Sequence, residues 1–398
     1  VNKENVDINR LLLIILILLS IEAALFSDLY VSSLPMITKS FNINVRLGQT
    51  TISIFMLGFA LGQYVYGTLS DNFGRRRVVI VALLIAITAS FICIIAANIE
   101  TLLIGRFIQG LGVAACLCMP RAIMRDVSNP KQMAKSLSII SAYTETIITM
   151  APALGAFISS IFGWVGNFYF LLFYSLLLLI IVYYYLPETK SHQNYNTTST
   201  NNLKKNYWRL LTNQQFICYA ICSGVGYALL MVYFMISPFI IQKTLYFTIH
   251  QYGLITIFIS CMLVIGAVLN NYCLKRFNLK TMIMSGVILV VLASIGMFIS
   301  TMFIKNIYTI TIPSMVAILG AAFLFANCSA GALANFADIA GNATSIYSGV
   351  QITFAFILVE IISLFNPKTF YTLNLSYFIM SLILVICFSL LKFLPTRR

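Results

Sequence analysis

Apolar runs long enough to cross a bilayer recur twelve times along this chain, at approximately 11–36, 47–69, 78–97, 101–122, 134–160, 166–186, 214–240, 249–272, 281–302, 306–330, 340–364 and 371–394. Each crossing needs roughly 20 apolar residues, so little chain is left for any extramembrane domain. An apolar content of 60%, a charged content of 9% and a mean hydropathy of +0.94 over 398 residues fit no soluble domain. The expectation is an all-α integral membrane protein with twelve transmembrane helices. The first run is too long for a signal-peptide core and carries Glu22 and Asp28, so it is expected to be retained.

A formal charge of +14 can suggest a nucleic-acid partner, but its placement argues against one. With Val1 inside, 19 Lys and Arg fall on cytoplasmic segments and 5 outside, and Arg106 lies within a span. That asymmetry is the positive-inside rule, and an even number of spans returns Arg398 to the cytoplasm. The bilayer, not nucleic acid, accounts for the basic excess.

Between the second and third runs lies Gly67-Thr-Leu-Ser-Asp-Asn-Phe-Gly-Arg-Arg-Arg77. Three arginines are costly in hydrocarbon, so this turn is expected outside it, on the cytoplasmic side. Gly67 and Gly74 permit close approach and turning. The stretch at 270–280, with Lys275, Arg276 and Lys280, is a degenerate counterpart about half a chain later. Two parallel halves follow: a six-helix bundle at 1–186, a polar Asn-, Thr- and Lys-rich cytoplasmic linker at 187–212, and a second six-helix bundle at 213–398. The sequon at Asn196 falls on the cytoplasmic side and carries no expectation of glycosylation.

The nine cysteines are scattered without zinc or redox spacing. No metal and no cofactor are expected, and the absence of a nucleotide-binding motif leaves an ion gradient as the simplest energy source. Four acids and one arginine sit well inside spans: Glu22, Asp28, Glu145, Glu360 and Arg106. Each costs roughly 2.5–3.5 kcal/mol at a helix centre on insertion scales, so each is a functional candidate. Asp28 and Arg106 both fall in the outer half of their spans, where an ion pair or a water-bridged contact is possible. Burial favours a neutral carboxyl and a nearby cation favours the charged one; a carboxyl held between those influences can take up and release a proton. Glu22 lies six residues before Asp28, a rotation of about 240° on a helix, so the two point different ways. For each acid the alternative is a protonated carboxyl bonded between helices.

Several motifs together resemble the Bcr/CflA group of drug:proton antiporters in the major facilitator superfamily. They are Ser27-Asp-Leu-Tyr-Val-Ser-Ser-Leu-Pro35, Gly105-Arg-Phe-Ile-Gln-Gly-Leu-Gly112, Pro120-Arg-Ala-Ile-Met-Arg-Asp126, Ser237-Pro-Phe-Ile-Ile-Gln242 and Ala340-Gly-Asn-Ala-Thr-Ser-Ile-Tyr-Ser-Gly-Val-Gln351, together with the Gly67–Arg77 turn. The resemblance implies the major facilitator fold and a proton-coupling role for Arg106, which joins the embedded acids Asp28, Glu22 and Glu145 as the candidate proton-coupling set. It also implies a cytoplasmic gate of Gly67, Asp71, Gly74, Arg75, Arg76, Arg121, Arg125 and Asp126. In that gate Asp71 would join Arg121, Arg125 and Asp126, or face the N-terminus of the eleventh span. The antiporter motif of the fifth span is partial: Ala151, Pro152 and Gly155 fit, while Ala156 stands where a second glycine is common.

A cavity between the halves near midplane is expected, lined by Tyr30, Gln109, Tyr143, Tyr227, Tyr233, Phe234, Tyr347, Phe354 and Glu360, with Met231 and Met235 adding deformable surface. Acids among aromatics suit small amphipathic compounds. The expected protein is thus not an enzyme. It is a monomeric bacterial inner-membrane transporter that exports such compounds in exchange for protons, with both termini cytoplasmic. The alternatives are a dedicated siderophore or other metabolite transporter on the same scaffold, and a non-transporting membrane receptor or assembly partner.

Overall fold

The computed structural model of the protein describes residues 10–189, 207–336, 339–365 and 369–393. Among them are no strands and twelve helices long and apolar enough to cross a membrane. These are α1 (Arg10–Ser40), α2 (Val45–Phe73), α3 (Arg75–Ile94), α4 (Ile99–Val127), α5 (Pro130–Phe162), α6 (Val165–Tyr185), α7 (Gln214–Thr244), α8 (Ile249–Cys273), α9 (Leu279–Phe303), α10 (Ile307–Leu333), α11 (Ala340–Ser363) and α12 (Phe370–Phe393). Helices suit this composition because each closes its own backbone hydrogen bonds away from water. Most of the linker expected at 187–212, the sequon at Asn196 and both chain ends lie outside the described residues.

Asparagine starts six of the twelve helices. Asn44, Asn98, Asn129, Asn213, Asn278 and Asn306 each accept a bond from the backbone N–H three residues ahead. Such a cap satisfies one of the four orphan donors of a helix start.

The packing repeats with a period of six helices. In the first group α1 packs on α4, α5 and α6, α2 on α4, and α3 on α4 and α6. In the second, α7 packs on α10, α11 and α12, α8 on α10, and α9 on α10 and α12. The groups meet chiefly through α5 against α8 and α2 against α11, two contacts that the same repeat exchanges.

Three details differ from the sequence reading. The charged stretch before Arg77 is not a loop: α2 runs to Phe73, only Gly74 breaks the helix, and the arginines begin α3. Gly74 has φ +94°, which L side chains rarely adopt, so one glycine makes the whole turn. The first span is also not one regular helix, since Leu29–Ser33 is a 3-10 turn. Pro35 has no N–H to donate to the Val31 carbonyl, and Leu34 N–H takes that acceptor one residue early. The corresponding seventh span ends in a π-turn, Phe239–Thr244, directly after Pro238.

Candidate functional site

The end that carries Gly74, Arg75, Arg121 and Arg125 is called the basic end below, and the opposite end the far end. At the far end the two groups are tied by close polar contacts. Gln49 Nε2 donates to the Met235 carbonyl at 2.8 Å, Gln242 Nε2 to the Ser32 carbonyl at 3.0 Å and Ser53 Oγ to Glu360 Oε2 at 2.5 Å. Lys243 Nζ reaches Thr38 Oγ1 at 3.4 Å. Gly253 of α8 faces Ala153 and Ala156 of α5, where a Cβ would lie 2.9 Å from that of Ala156. The glycine that permits close approach here is therefore on α8, opposite the alanine that departs from the α5 motif.

Toward the basic end the cross-contacts are longer. Tyr64 and Thr353 hydroxyls lie 3.3 Å apart, and Arg121 Nη1 reaches Ser348 Oγ at 3.5 Å, beyond the usual hydrogen-bond range. A cavity of about 90 Å³ opens there between α2 and α4 on one side and α11 on the other. In the same half of the molecule, three successive residues of α5, Ser141, Ala142 and Tyr143, are exposed. The polar ties between the groups are thus shorter at the far end, and the cavity opens at the basic end.

Asp28 sits at the last α-helical residue of α1, where the 3-10 turn begins. It is only 2% exposed, and its Oδ1 has no hydrogen-bond partner among the described residues. The neighbouring Ser27 Oγ lies 3.4 Å from Tyr227 OH of α7, so this turn of α1 faces the other half. The turn is held from behind by α5: Ser32 Oγ donates to the Pro152 carbonyl at 2.5 Å, and Gly155 abuts the Leu29 carbonyl.

Arg106 forms no ion pair with Asp28 or with any other described acid. Its guanidinium lies between the rings of Tyr30 and Phe55, 4.0 and 4.2 Å from their centroids. Nη1 donates to the Phe26 carbonyl at 3.1 Å and to Gln109 Oε1 at 2.8 Å, while Nη2 has no partner among the described residues. Gln109 in turn donates to Ser90 at 3.0 Å, and Tyr30 bonds Thr51 at 3.1 Å. Gln109 and Tyr30 therefore brace Arg106 inside the first group instead of walling a passage.

Glu22 is fully buried and accepts a bond from Ser175 of α6 at 2.7 Å, so it points away from the other half. Glu145 is half-buried on the open stretch of α5. Glu360 is part of the far-end ties. Of the expected aromatics, Tyr227 and Phe354 are half-buried and Tyr143 is 55% exposed, whereas Tyr233, Phe234 and Tyr347 are buried, as are Met231 and Met235.

The charges expected as a gate join in a network within the first group. Arg75, 4% exposed, contacts Asp71 at 2.7 Å and Asp126 at 2.8 Å, and Arg125 lies 3.8 Å from each acid. Arg121 is not part of that network; it points across to α11. Gly67 meets Ser345 of α11, 2.8 Å from where a Cβ would stand.

Glu188 completes the turn: its carboxylate accepts the backbone N–H groups of Arg75 at 2.9 Å and Arg76 at 3.2 Å. It thereby caps α3, whose N-cap is a glycine with no side chain to offer. Gln49, Ser53 and Glu188 carry no sequence motif of their own. The one clue is that Glu188 is the acid directly after the sixth apolar run.

The family model of the Major Facilitator Superfamily matches residues 16–359. A protein of Rickettsia felis named "Uncharacterized transporter" is 26% identical over 374 residues, covering 90% of this chain and 91% of that one. Multidrug resistance protein D of Escherichia coli is 24% identical over 384 residues, covering 94% of each chain. The partially occluded inward open structure of the xylose transporter XylE from E. coli superposes with a TM-score of 0.77 at 14% identity, covering 97% and 98% of the two chains. The six-helix repeat, the twelve spans and the matched family model converge: this chain belongs to the Major Facilitator Superfamily and is a membrane transporter of small molecules, not an enzyme.

Proposed function

We propose that the protein exports small amphipathic compounds in exchange for protons, by rocking of the two six-helix groups about the α2–α11 and α5–α8 contacts. The basic end faces the cytoplasm, as the positive-inside rule requires, in a bacterial inner membrane. The observation that carries this reading is the Asp28 carboxylate: buried, with Oδ1 unpartnered among the described residues, on the turn of α1 that faces Tyr227 of the other group. A buried carboxylate oxygen without a partner is costly unless it binds a proton or a donor at some stage of the cycle. Arg106, held by two rings and a carbonyl but by no acid, supplies a fixed positive field beside it.

Efflux is favoured by the drug-resistance names among the relatives, and the motifs resemble those of the Bcr/CflA type. One proton moving inward through 100 mV supplies about 2.3 kcal/mol. At 1.36 kcal/mol per tenfold ratio this sustains roughly a 50-fold gradient of a neutral compound. The test is drug-dependent proton flux in proteoliposomes over a panel of amphipathic drugs. Wild-type protein carries flux and Asp28→Asn carries none; full flux in Asp28→Asn would remove Asp28 from the mechanism. Absence of flux for wild type across the panel would overturn the exchange reading.

A further inference from the structure

Among its described lining residues, the cavity at the basic end carries more positive than negative side chains. Arg75, Arg121 and Arg125 line it together with one acid, Asp71. Arg75 and Arg125 are occupied by Asp71 and Asp126. Among the described residues Arg121 has no carboxylate within ion-pair distance, and its Nη1 approaches Ser348 Oγ only at 3.5 Å. Opposite it stands α11, presenting Ser345 and Ser348. Asn342, Thr344, Ser345 and Ser348 of α11 complete the lining. Arg121 and this face of α11 stand across a cavity of about 90 Å³. That volume admits roughly six waters or more on the same measure, which is ample for one oxyanion.

We propose that this cavity binds an oxyanion, a phosphate or carboxylate group, held by Arg121 of α4 on one side and by Ser345 and Ser348 of α11 on the other. A guanidinium offers five donors in a planar fork that matches such a group, and serine hydroxyls donate from the opposite face. The bound group joins the two halves at the end where their direct contacts are long. It therefore stabilises the conformation described here and leaves when α4 and α11 move apart. The anion comes either from solution or from the headgroup of an acidic phospholipid in the cytoplasmic leaflet, and the proposal holds whether or not Asp28 carries protons.

Cys118 lines the same cavity and reports its occupancy. The full chain is placed in phosphatidylcholine nanodiscs, and labelling of Cys118 by N-ethylmaleimide is followed by peptide mass spectrometry. Half-buried Cys261 on α8 serves as the internal reference for folding. Inorganic phosphate, against chloride at equal ionic strength, should slow Cys118 labelling several-fold and leave Cys261 unchanged. Protection by phosphatidylglycerol nanodiscs without phosphate assigns the site to a lipid headgroup instead. Arg121→Gln should abolish the protection, and Ser348→Ala, which keeps every charge, should weaken it. The proposal is overturned if neither anion protects Cys118, or if protection persists undiminished in Ser348→Ala or in a folded Arg121→Gln.

Discussion

Gly155 of α5 lies so close to Leu29 of α1 that a Cβ on it would stand 1.6 Å from the Leu29 carbonyl oxygen. The contact is backbone against backbone, so no side chain can swing aside to make room. It also fixes the first residue of the 3-10 turn that follows Asp28. Gly155→Ala is expected to cost about 1–3 kcal/mol, in the range of overpacking substitutions, and to reduce proton flux because Asp28 moves with the turn. Gly296→Ala is the control, since a Cβ there meets nothing within 4 Å. Thermal unfolding of both variants in detergent, followed by flux in proteoliposomes, checks the pair.

Arg106 is held by geometry that lysine does not reproduce. The planar guanidinium stacks between Tyr30 and Phe55 while reaching Phe26 and Gln109. Arg106→Lys keeps the charge but is expected to lose most drug-driven proton flux. Arg77→Lys, an exposed change at the start of α3, is expected to retain it. Equal flux in the two would show that charge alone matters at Arg106.

Glu188 is expected to stabilise α3 by capping its first two N–H groups. Glu188→Ala should lower stability by about 0.5–2 kcal/mol, as loss of other helix caps does, and Glu188→Gln should fall between it and wild type. A melting curve for each variant measures this. An unchanged midpoint in Glu188→Ala would mean that water caps the helix equally well.

The Ser53–Glu360 bond is one of the ties at the far end. Ser53→Ala leaves the Glu360 carboxyl without this donor and is expected to shift the population toward the state open at the far end. Spin labels placed on Arg46 and on His250, one on each group at that end, would report the shift as a longer component in their distance distribution. No change in that distribution would make the bond incidental to closure.

The span count was legible in the sequence because transfer into lipid is summed residue by residue. A run such as 281–302 declares itself without reference to any other part of the chain. The break at Gly74 was only half legible. The glycine and the arginines marked a boundary, but nothing local indicated that α2 would continue through Asp71 to Phe73, because that extension rests on Asp71 pairing with Arg75 one turn later.

The embedded charges mark the division between the two sources most sharply. The sequence by itself determined that Glu22, Asp28, Arg106, Glu145 and Glu360 lie in apolar spans, since that depends on composition along one dimension. Only the tertiary structure decided that Glu22 turns to Ser175 within its own half, that Asp28 borders the other half and that Glu360 meets Ser53 at the far end. Those outcomes follow from the rotation of each helix about its axis, which is set by contacts with chain more than a hundred residues away. Hydropathy is blind to that rotation, and close packing such as Gly155 on Leu29 fixes it.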